Sequence, residues 1–414
     1  MAQRKPGLGF ILLTLFLDIL GIGLIVPIVP SLVETFVGTD PSTVSFYLWA
    51  LTSSYALMQF VFSPILGSLS DRSGRRSILL ISVFGQGAAY VLLALSRSLE
   101  WLFIARFLAG ITSASIGTAT AYIADVSPPE KRAQSFGLVG MAFGLGFIIG
   151  PIAGGFLGKW NVHAPFAVSA VLCFANGFYG LLVLPESLPP DKRRPFSWSR
   201  ANPVGALLAL KRYPAVTGLI ATLFLVSLAQ RGLESVWVQY TGVRYGWDPS
   251  HRGMSLGAVG LGAAIVQGFV VRRVVPAIGE RRALLIGMTS GMIAFTLYGF
   301  ASSGWMVYAI IPIGAFAGLS APSAQGIMSR AVSPSEQGLL QGGVVSLQSV
   351  TQLLGPFVGI LLFGFFTSDK APAQVPGATF FLGAFFILLA VLLALRTFAK
   401  TPELSKPRVE VISS

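Results

Sequence analysis

Four ionisable residues lie inside long apolar runs of this sequence, where a charge needs a partner or a function. They are Asp18, Arg106, Arg231 and Glu234. A charged side chain at the centre of a membrane costs at least about 2.5 kcal/mol even on the most lenient scale, so such residues usually contact ions, protons or substrates. The chemistry they offer is proton uptake by a carboxylate and substrate contact by a guanidinium.

Each of these residues also has a purely structural interpretation. Arg231 and Glu234 are three residues apart and share one helix face, so they can neutralise each other as an ion pair. Alternatively, Glu234 takes up protons and Arg231 contacts a substrate. Asp18 either takes part in proton coupling or stabilises the helix around Gly21–Gly23. The sequence leaves both alternatives open.

The densest cluster of charge is the stretch Gly67–Arg76, which contains Asp71, Arg72, Arg75 and Arg76 between two long apolar runs. As a connection between two membrane helices it could serve only to fix orientation through its positive charge. Orientation requires neither the carboxylate nor the glycines. The stretch therefore also predicts a hinge or gate.

Composition places the elements that carry these residues in a membrane. Of the 414 residues, 54% are hydrophobic and 11% are charged, and the mean hydropathy is +0.75. Soluble proteins carry about 25% charged residues. The single cysteine, Cys173, excludes an intramolecular disulfide and a cysteine metal site. The two histidines are not at metal-ligand spacing and no nucleotide-binding loop occurs, so we expect no metal, no cofactor and no enzyme.

The apolar runs predict an all-α membrane protein with twelve transmembrane helices. The predicted spans are residues 8–32, 46–68, 77–96, 99–124, 134–158, 163–184, 214–241, 252–275, 282–301, 304–328, 337–366 and 376–397. The longest polar connection divides six spans from six. We therefore predict an N-terminal six-helix bundle at 1–184, a cytoplasmic linker at 185–213 and a C-terminal bundle with a cytoplasmic tail at 214–414.

The net charge of +13 is explained by topology. Most Lys and Arg residues lie in the connections on one side of the spans, which predicts that this side and both termini face the cytoplasm of a multi-pass protein in the cell's inner membrane. The predicted surroundings are the lipid bilayer, and nucleic acid is not needed as a partner.

The two halves of the chain repeat each other. Val126–Glu130 recurs as Val332–Glu336, and the Gly-Pro pair at Gly150 recurs at Gly355. Parallel repeats of six spans are typical of transporters built from two pseudo-symmetric bundles, with the substrate site between them near the midplane.

These features resemble the major facilitator superfamily, and most closely its tetracycline-resistance type drug:proton antiporters. The stretches that carry the resemblance are Leu17–Leu24, Pro27, Pro30, Tyr55–Gln59, Gly67–Arg76, Tyr122–Asp125 and His163–Phe166. The resemblance covers nearly the whole chain. It implies a secondary active transporter that works by alternating access, exchanges protons for a small molecule and functions as a monomer.

The resemblance also implies roles for individual residues. It implies a cytoplasmic gate in which Asp71 faces the start of span 11 and Arg75 pairs with Asp125, and it implies that Arg106 takes part in proton coupling. The carboxylates that could couple with Arg106 are Asp18 and Glu234. The implied gate residues are Gly67, Asp71, Arg72, Gly74, Arg75 and Asp125. The implied antiporter motif, typical of exporters, is Gly146, Gly150, Pro151, Gly154 and Gly155.

The substrate is less well specified than the class of protein. Tetracycline exporters carry acidic residues in spans 3 and 9, but Gly85–Tyr90 and Met288–Ala294 contain none here, so a metal–tetracycline cation would lose those partners. Uncharged amides and aromatic rings suit a small amphipathic, drug-like molecule. The predicted substrate-binding residues are Tyr55, Gln59, Gln230, Arg231, Trp237, Gln325 and Gln348. The alternatives are a proton-coupled or facilitative transporter of a metabolite, sugar or lipid, and a membrane receptor that transports nothing.

Overall fold

The apolar runs form α-helices throughout the part of the chain that the computed structural model describes, which is residues 8–113, 115–127, 132–193, 214–332, 337–369 and 371–401. The helices of the first half are α1 (Leu8–Ile25), α2 (Val29–Val37), α3 (Pro41–Ser73), α4 (Arg75–Ala94), α5 (Leu99–Ile111), α6 (Ser115–Val126), α7 (Arg132–Trp160) and α8 (Ala164–Val183). The helices of the second half are α9 (Pro214–Tyr245), α10 (Pro249–Ile265), α11 (Val271–Ile278), α12 (Glu280–Phe300), α13 (Gly304–Ala315), α14 (Ser320–Ala331), α15 (Gln337–Thr367) and α16 (Ala378–Lys400).

The predicted all-α membrane fold is confirmed. Within the described residues, ten segments are long and apolar enough to cross a membrane, and α1 with α2, bent by 41°, makes an eleventh. The remaining predicted span corresponds to α3. Its 33 residues exceed the roughly 20 that a crossing needs, while its Ser, Thr and Gln residues make it less apolar than the others.

Several predicted spans are interrupted helices. The first breaks at residues 26–28, beside Pro27, because proline removes one backbone hydrogen bond. The eighth passes through a π-helical turn at Val266–Val270, and the tenth through a 3₁₀ turn at Phe316–Leu319. Such interruptions are tolerated inside a bundle, where neighbouring helices satisfy the freed backbone groups.

Short polar signals set the helix ends. Asp40 begins α3 by accepting a hydrogen bond from the backbone N–H of Thr43 at 2.8 Å and others from the hydroxyls of Thr43 and Ser42. The hydroxyl of Thr43 contributes most to lowering the pKa of Asp40. Between α3 and α4 the chain reverses at Gly74, whose φ of 104° lies in the left-handed region that favours glycine.

The molecule has two opposite ends. The motif face is the end at which α3 meets α4 at Gly74. The far face is the opposite end, which carries the connections at residues 38–40, 95–98, 161–163, 246–248 and 301–303.

The buried cores show where the two halves meet. One cluster joins residues of the first half, such as Leu48 and Phe166, to far-face residues of the second half, such as Tyr240 and Phe363. A second cluster lies within the second half alone and includes Leu219 and Met328, towards the motif face. The halves therefore share an apolar core at the far face.

Candidate functional site

Asp18 lies in the middle of α1 and is 2% exposed. Its Oδ2 accepts a hydrogen bond from the hydroxyl of Ser115 at 2.6 Å, at the start of α6. Ser115 follows the break between α5 and α6, so the interruption of that span positions the donor. A buried carboxylate held by one neutral hydroxyl is an arrangement in which a proton is a natural ligand, because an uncompensated charge is costly there.

Arg106, predicted to work with Asp18, lies on α5 near the same group. It is close enough to interact electrostatically with Tyr55 and Tyr90, and Asp18 interacts with both phenols as well. Within the described residues Arg106 and Asp18 form no ion pair, so they share a neighbourhood without direct contact in this conformation.

Tyr55 and Gln59 connect this neighbourhood to the second half. Gln59 Nε2 donates to the hydroxyl of Tyr55 at 3.4 Å, one turn away on α3. Gln59 Oε1 accepts from Gln352 Nε2, on α15, at 2.8 Å. A chain of amides thus crosses between the two halves.

A second polar group lies on α9. Arg231 Nη1 is 2.8 Å from Glu234 Oε2, and Gln230 Nε2 donates to Glu234 Oε1 at 3.2 Å. These three residues are brought together by helical spacing. Both members of the ion pair are partly exposed, with 43% and 46% of their side chains accessible.

The remaining predicted substrate residues lie elsewhere in the second half. Trp237, one turn along α9, is 2% exposed; its indole N–H donates to Ser255 at 3.0 Å, and its ring packs edge-on against Tyr298. In this conformation it is a packing residue of the second half. Gln348 is exposed on the same face of α15 as Gln352, and Gln325 is exposed on α14.

At the motif face, Arg75 is the centre of an ionic network. Its Nη1 is 2.6 Å from Asp71 Oδ1 and donates to Ser70 Oγ at 2.6 Å, and its Nε is 3.2 Å from Asp125 Oδ2 at the end of α6. The Asp125 carboxylate also accepts from Ser187 at 3.1 Å. The network ties α3, α4, α6 and the segment after α8 together.

Two other predicted gate residues make no ionic contact with the described part of the chain. Arg72 is exposed at the end of α3. An added Cβ at Gly67 meets no described atom within 4 Å, so the close helix contact expected there is not seen among the described residues. The partner predicted for Asp71 is the N-terminal end of span 11, which begins at residue 337, directly after residues 333–336 that lie outside the described ranges.

Glu186 is a residue of this network that sequence reasoning missed. Its Oε1 accepts from the backbone N–H groups of Arg75, Ser187 and Leu188 at 2.8, 3.0 and 3.1 Å, and its Oε2 accepts from that of Arg76 at 3.3 Å. Glu186 therefore caps the start of α4, although it lies more than one hundred residues away in the sequence. The helix dipole favours a negative charge at this end of α4. The available signal was an acidic residue at the end of an apolar run on the basic side of the chain.

The antiporter motif on α7 packs in two directions. On one side, an added Cβ at Gly150 would lie 2.7 Å from Gly23 Cα, and one at Gly154 would overlap the carbonyl of Leu24, so these glycines allow α7 to touch α1. Gly146 allows an equally close contact with Ile19, which also lies on α1.

The other side of the motif meets the second half. A Cβ at Gly155 would overlap the carbonyl of Pro249, and one at Gly253 on α10 would overlap the carbonyl of Pro151. The second half repeats the first contact, since a Cβ at Gly359 of α15 would lie 2.7 Å from the carbonyl oxygen of Gly232 on α9.

Polar contacts also join the two halves at the far face, which is therefore closed. Lys159 Nζ is 3.2 Å from Asp248 Oδ2, and Gln239 Nε2 donates to Ser45 at 2.9 Å. Burial would raise the pKa of Asp248, but hydrogen bonds from His251, Ser250 and Lys159 outweigh it and hold the pKa well below its usual range. Arg252 Nη1 also reaches Ser31 at 3.2 Å.

Among the described residues, no group of three or more His, Cys, Asp or Glu side chains could hold a metal ion.

Comparison with known proteins identifies relatives over nearly the whole chain. The sequence pattern of the Major Facilitator Superfamily matches residues 11–278 and 253–412. The chain is 36% identical over 381 residues to the class C tetracycline resistance protein of Escherichia coli, covering 92% of this chain and 96% of that protein. It is 37% identical to the class G protein of Vibrio anguillarum, covering 94% and 97%. In fold it is similar to the crystal structure of the nucleoside transporter NupG, with a TM-score of 0.74 and 14% identity over 95% of this chain and 98% of that one.

Proposed function

The chain belongs to the major facilitator superfamily of membrane transporters, and we propose that it is a proton-coupled exporter of small amphipathic molecules. The two six-helix bundles, residues 1–184 and 214–414, rock about a midplane site and expose it alternately to the two sides of the cell's inner membrane. The protein works as a monomer, without a cofactor.

The distribution of basic residues supports an orientation in which the motif face and both termini are cytoplasmic. The far face is then external, and its closure by Lys159–Asp248 and Gln239–Ser45 corresponds to the inward-facing state. On the motif face, α11 buries none of its residues, which agrees with bundles that separate towards the cytoplasm.

The observation that carries the proposal is the environment of Asp18. Its carboxylate is buried at mid-membrane, is bonded to one neutral hydroxyl and has Arg106 in its neighbourhood without an ion pair. Such a carboxylate can hold a proton in one state and pair with the guanidinium in the other. Because Asp18 exchanges its proton for Arg106 when the bundles rock, proton movement is linked to that motion.

The network of Arg75 supports a gate at the cytoplasmic face. In the inward-facing state Arg75 holds Asp71 and Asp125, and Glu186 holds the start of α4, all within the first bundle. When the cytoplasmic side closes, Asp71 engages the N-terminal end of span 11, whose helix dipole attracts a carboxylate.

Transport into everted membrane vesicles tests the proposal. Vesicles are energised to be acidic inside, and uptake of a panel of amphipathic fluorescent compounds, with tetracycline included, is followed with and without an ionophore that collapses the gradient. We expect uptake of at least one compound that the ionophore and Asp18→Asn both abolish. Uptake that neither treatment affects would refute proton coupling.

A control variant separates coupling from folding. Ser115→Ala removes the hydroxyl bonded to Asp18 and keeps the carboxylate, so we expect slower uptake that still depends on the gradient.

A further inference from the structure

The ion pair on α9 lies near the middle of a segment long and apolar enough to cross the membrane. The apolar segment of this helix runs from Val216 to Tyr245, so Arg231 and Glu234 stand close to its midpoint. The two side chains are 43% and 46% exposed. Exposing charges to lipid at that depth is costly, so this face of α9 lines a water-accessible space.

Neighbouring contacts place the pair beside the junction of the two bundles. A Cβ added at Gly355 of α15 would overlap Cβ of Arg231, so the two helices touch at this level. One turn away on α15, Gln352 reaches across to Gln59 of the other bundle. Arg231 therefore lies next to the region where a midplane substrate site is proposed.

Within this ion pair, most of the unused hydrogen-bonding capacity lies on Arg231. Both oxygens of Glu234 already accept a bond, one from Gln230 and one from Arg231. Arg231 uses Nη1 alone, and no described residue accepts from its Nε or Nη2. These two nitrogens form the fork that binds a carboxylate through two parallel bonds.

Asp18, the buried carboxylate of the other bundle, does not offset the unused donors of Arg231. Asp18 is 2% exposed and is engaged by Ser115. A cationic substrate would find Glu234 already neutralised by Arg231, whereas an anionic one would find a guanidinium edge to which no described residue is bonded.

We propose that Arg231 binds a carboxylate, or an oxyanion of similar shape, on an amphipathic substrate, and that Glu234 limits the affinity by repelling it. The inference rests on the proposed function, because it names the substrate class of the same midplane site. It distinguishes this chain from a carrier of cations.

Binding to the purified protein tests this without requiring transport. Three probes share one ring and differ in charge: 2-naphthylacetate, its neutral amide, and 2-(2-naphthyl)ethylamine. Affinity is measured by calorimetry and by the rise in melting temperature that a ligand of the folded state produces. We expect the carboxylate to bind more tightly than the amide and the amine.

Variants assign the site. Arg231→Gln should weaken carboxylate binding by about 10-fold or more, since hydrogen bonds to charged groups contribute about 1.5–3 kcal/mol. Glu234→Gln should strengthen it, because a like charge is removed. Arg244→Gln, which removes an equal charge at the far end of the same helix, should leave it unchanged.

Arg231→Lys keeps the charge without the fork and should give intermediate affinity, which covers the case in which Arg231→Gln folds poorly. Preference for the amine, loss of binding in Glu234→Gln, full affinity in Arg231→Gln, or binding of no probe would each overturn the inference. Proton-driven uptake in vesicles could still succeed in any of these cases. Failure of the carboxylate-binding inference is therefore distinguishable from failure of the proposed proton-coupled export.

Discussion

Gly154 and Gly155 are adjacent on α7 but pack against different partners, which permits a matched test of the rocking motion. An added Cβ at Gly155 would overlap the carbonyl of Pro249 and lie 3.1 Å from Cα of Ser250, both in the opposite bundle. An added Cβ at Gly154 would overlap the carbonyl of Leu24, in its own bundle. In the proposed rocking motion, only the first contact would be broken when the far face opens.

The size of the effect follows from overpacking. Ordinary contacts of a Cβ begin near 3.4 Å, so α7 and α10 must separate to accommodate Gly155→Ala. Overpacking of this kind typically costs about 1–3 kcal/mol. Because the cost falls on the closed far face alone, the equilibrium should shift towards the open far face by about 5- to 150-fold.

The assay is a distance between spin labels at Arg97 and Ser302, which are exposed on far-face connections of the two bundles, with buried Cys173 replaced by serine. Gly155→Ala should add a population at longer distance. Gly154→Ala should lower the melting temperature without changing the distance distribution. An unchanged distribution in Gly155→Ala would refute the assignment of this contact to the closed state.

Three further predictions concern the two faces. Gly74→Ala should impair folding or turnover, because its φ is 104° and its Cβ would overlap Glu186, whereas Gly67→Ala should be tolerated; melting temperature and vesicle uptake compare them. Glu186→Ala should lower stability by about 1–2 kcal/mol through loss of the cap on α4, as seen in denaturant unfolding, and an unchanged midpoint would argue against the cap. Asp248→Asn should lower the melting temperature at pH 7. A carboxylate with a depressed pKa stabilises the fold fully above its unfolded pKa of about 3.9, and this stabilisation is lost as the pH falls through its folded pKa. The difference in melting temperature between Asp248→Asn and wild type should therefore narrow below about pH 4.

Much of the architecture could be predicted because it depends on local pattern. The lengths of the apolar runs located the helices. The spacing of three residues placed Arg231 and Glu234 on one helix face, where the structure pairs them. The glycines of α7 predicted close packing, and the structure adds that Gly150 and Gly155 face different helices.

What could not be predicted depends on contacts between distant parts of the chain. Glu186 caps α4 although four helices separate the two in the sequence, and nothing near Arg75 in the sequence points to it. The same limit applies to Trp237, which was expected near the substrate but is buried against Tyr298, because the orientation of an aromatic on a membrane helix is set by its tertiary neighbours.

The proposed exchange of protons for substrate at Asp18 is tested most directly by proton release from the purified protein. A compound that the vesicle assay identifies as a substrate is added to the protein in weakly buffered detergent solution that contains a pH-sensitive dye. We expect wild type to release protons on binding and Asp18→Asn to bind without release. Binding to wild type without proton release, or equal release from Asp18→Asn, would contradict the account.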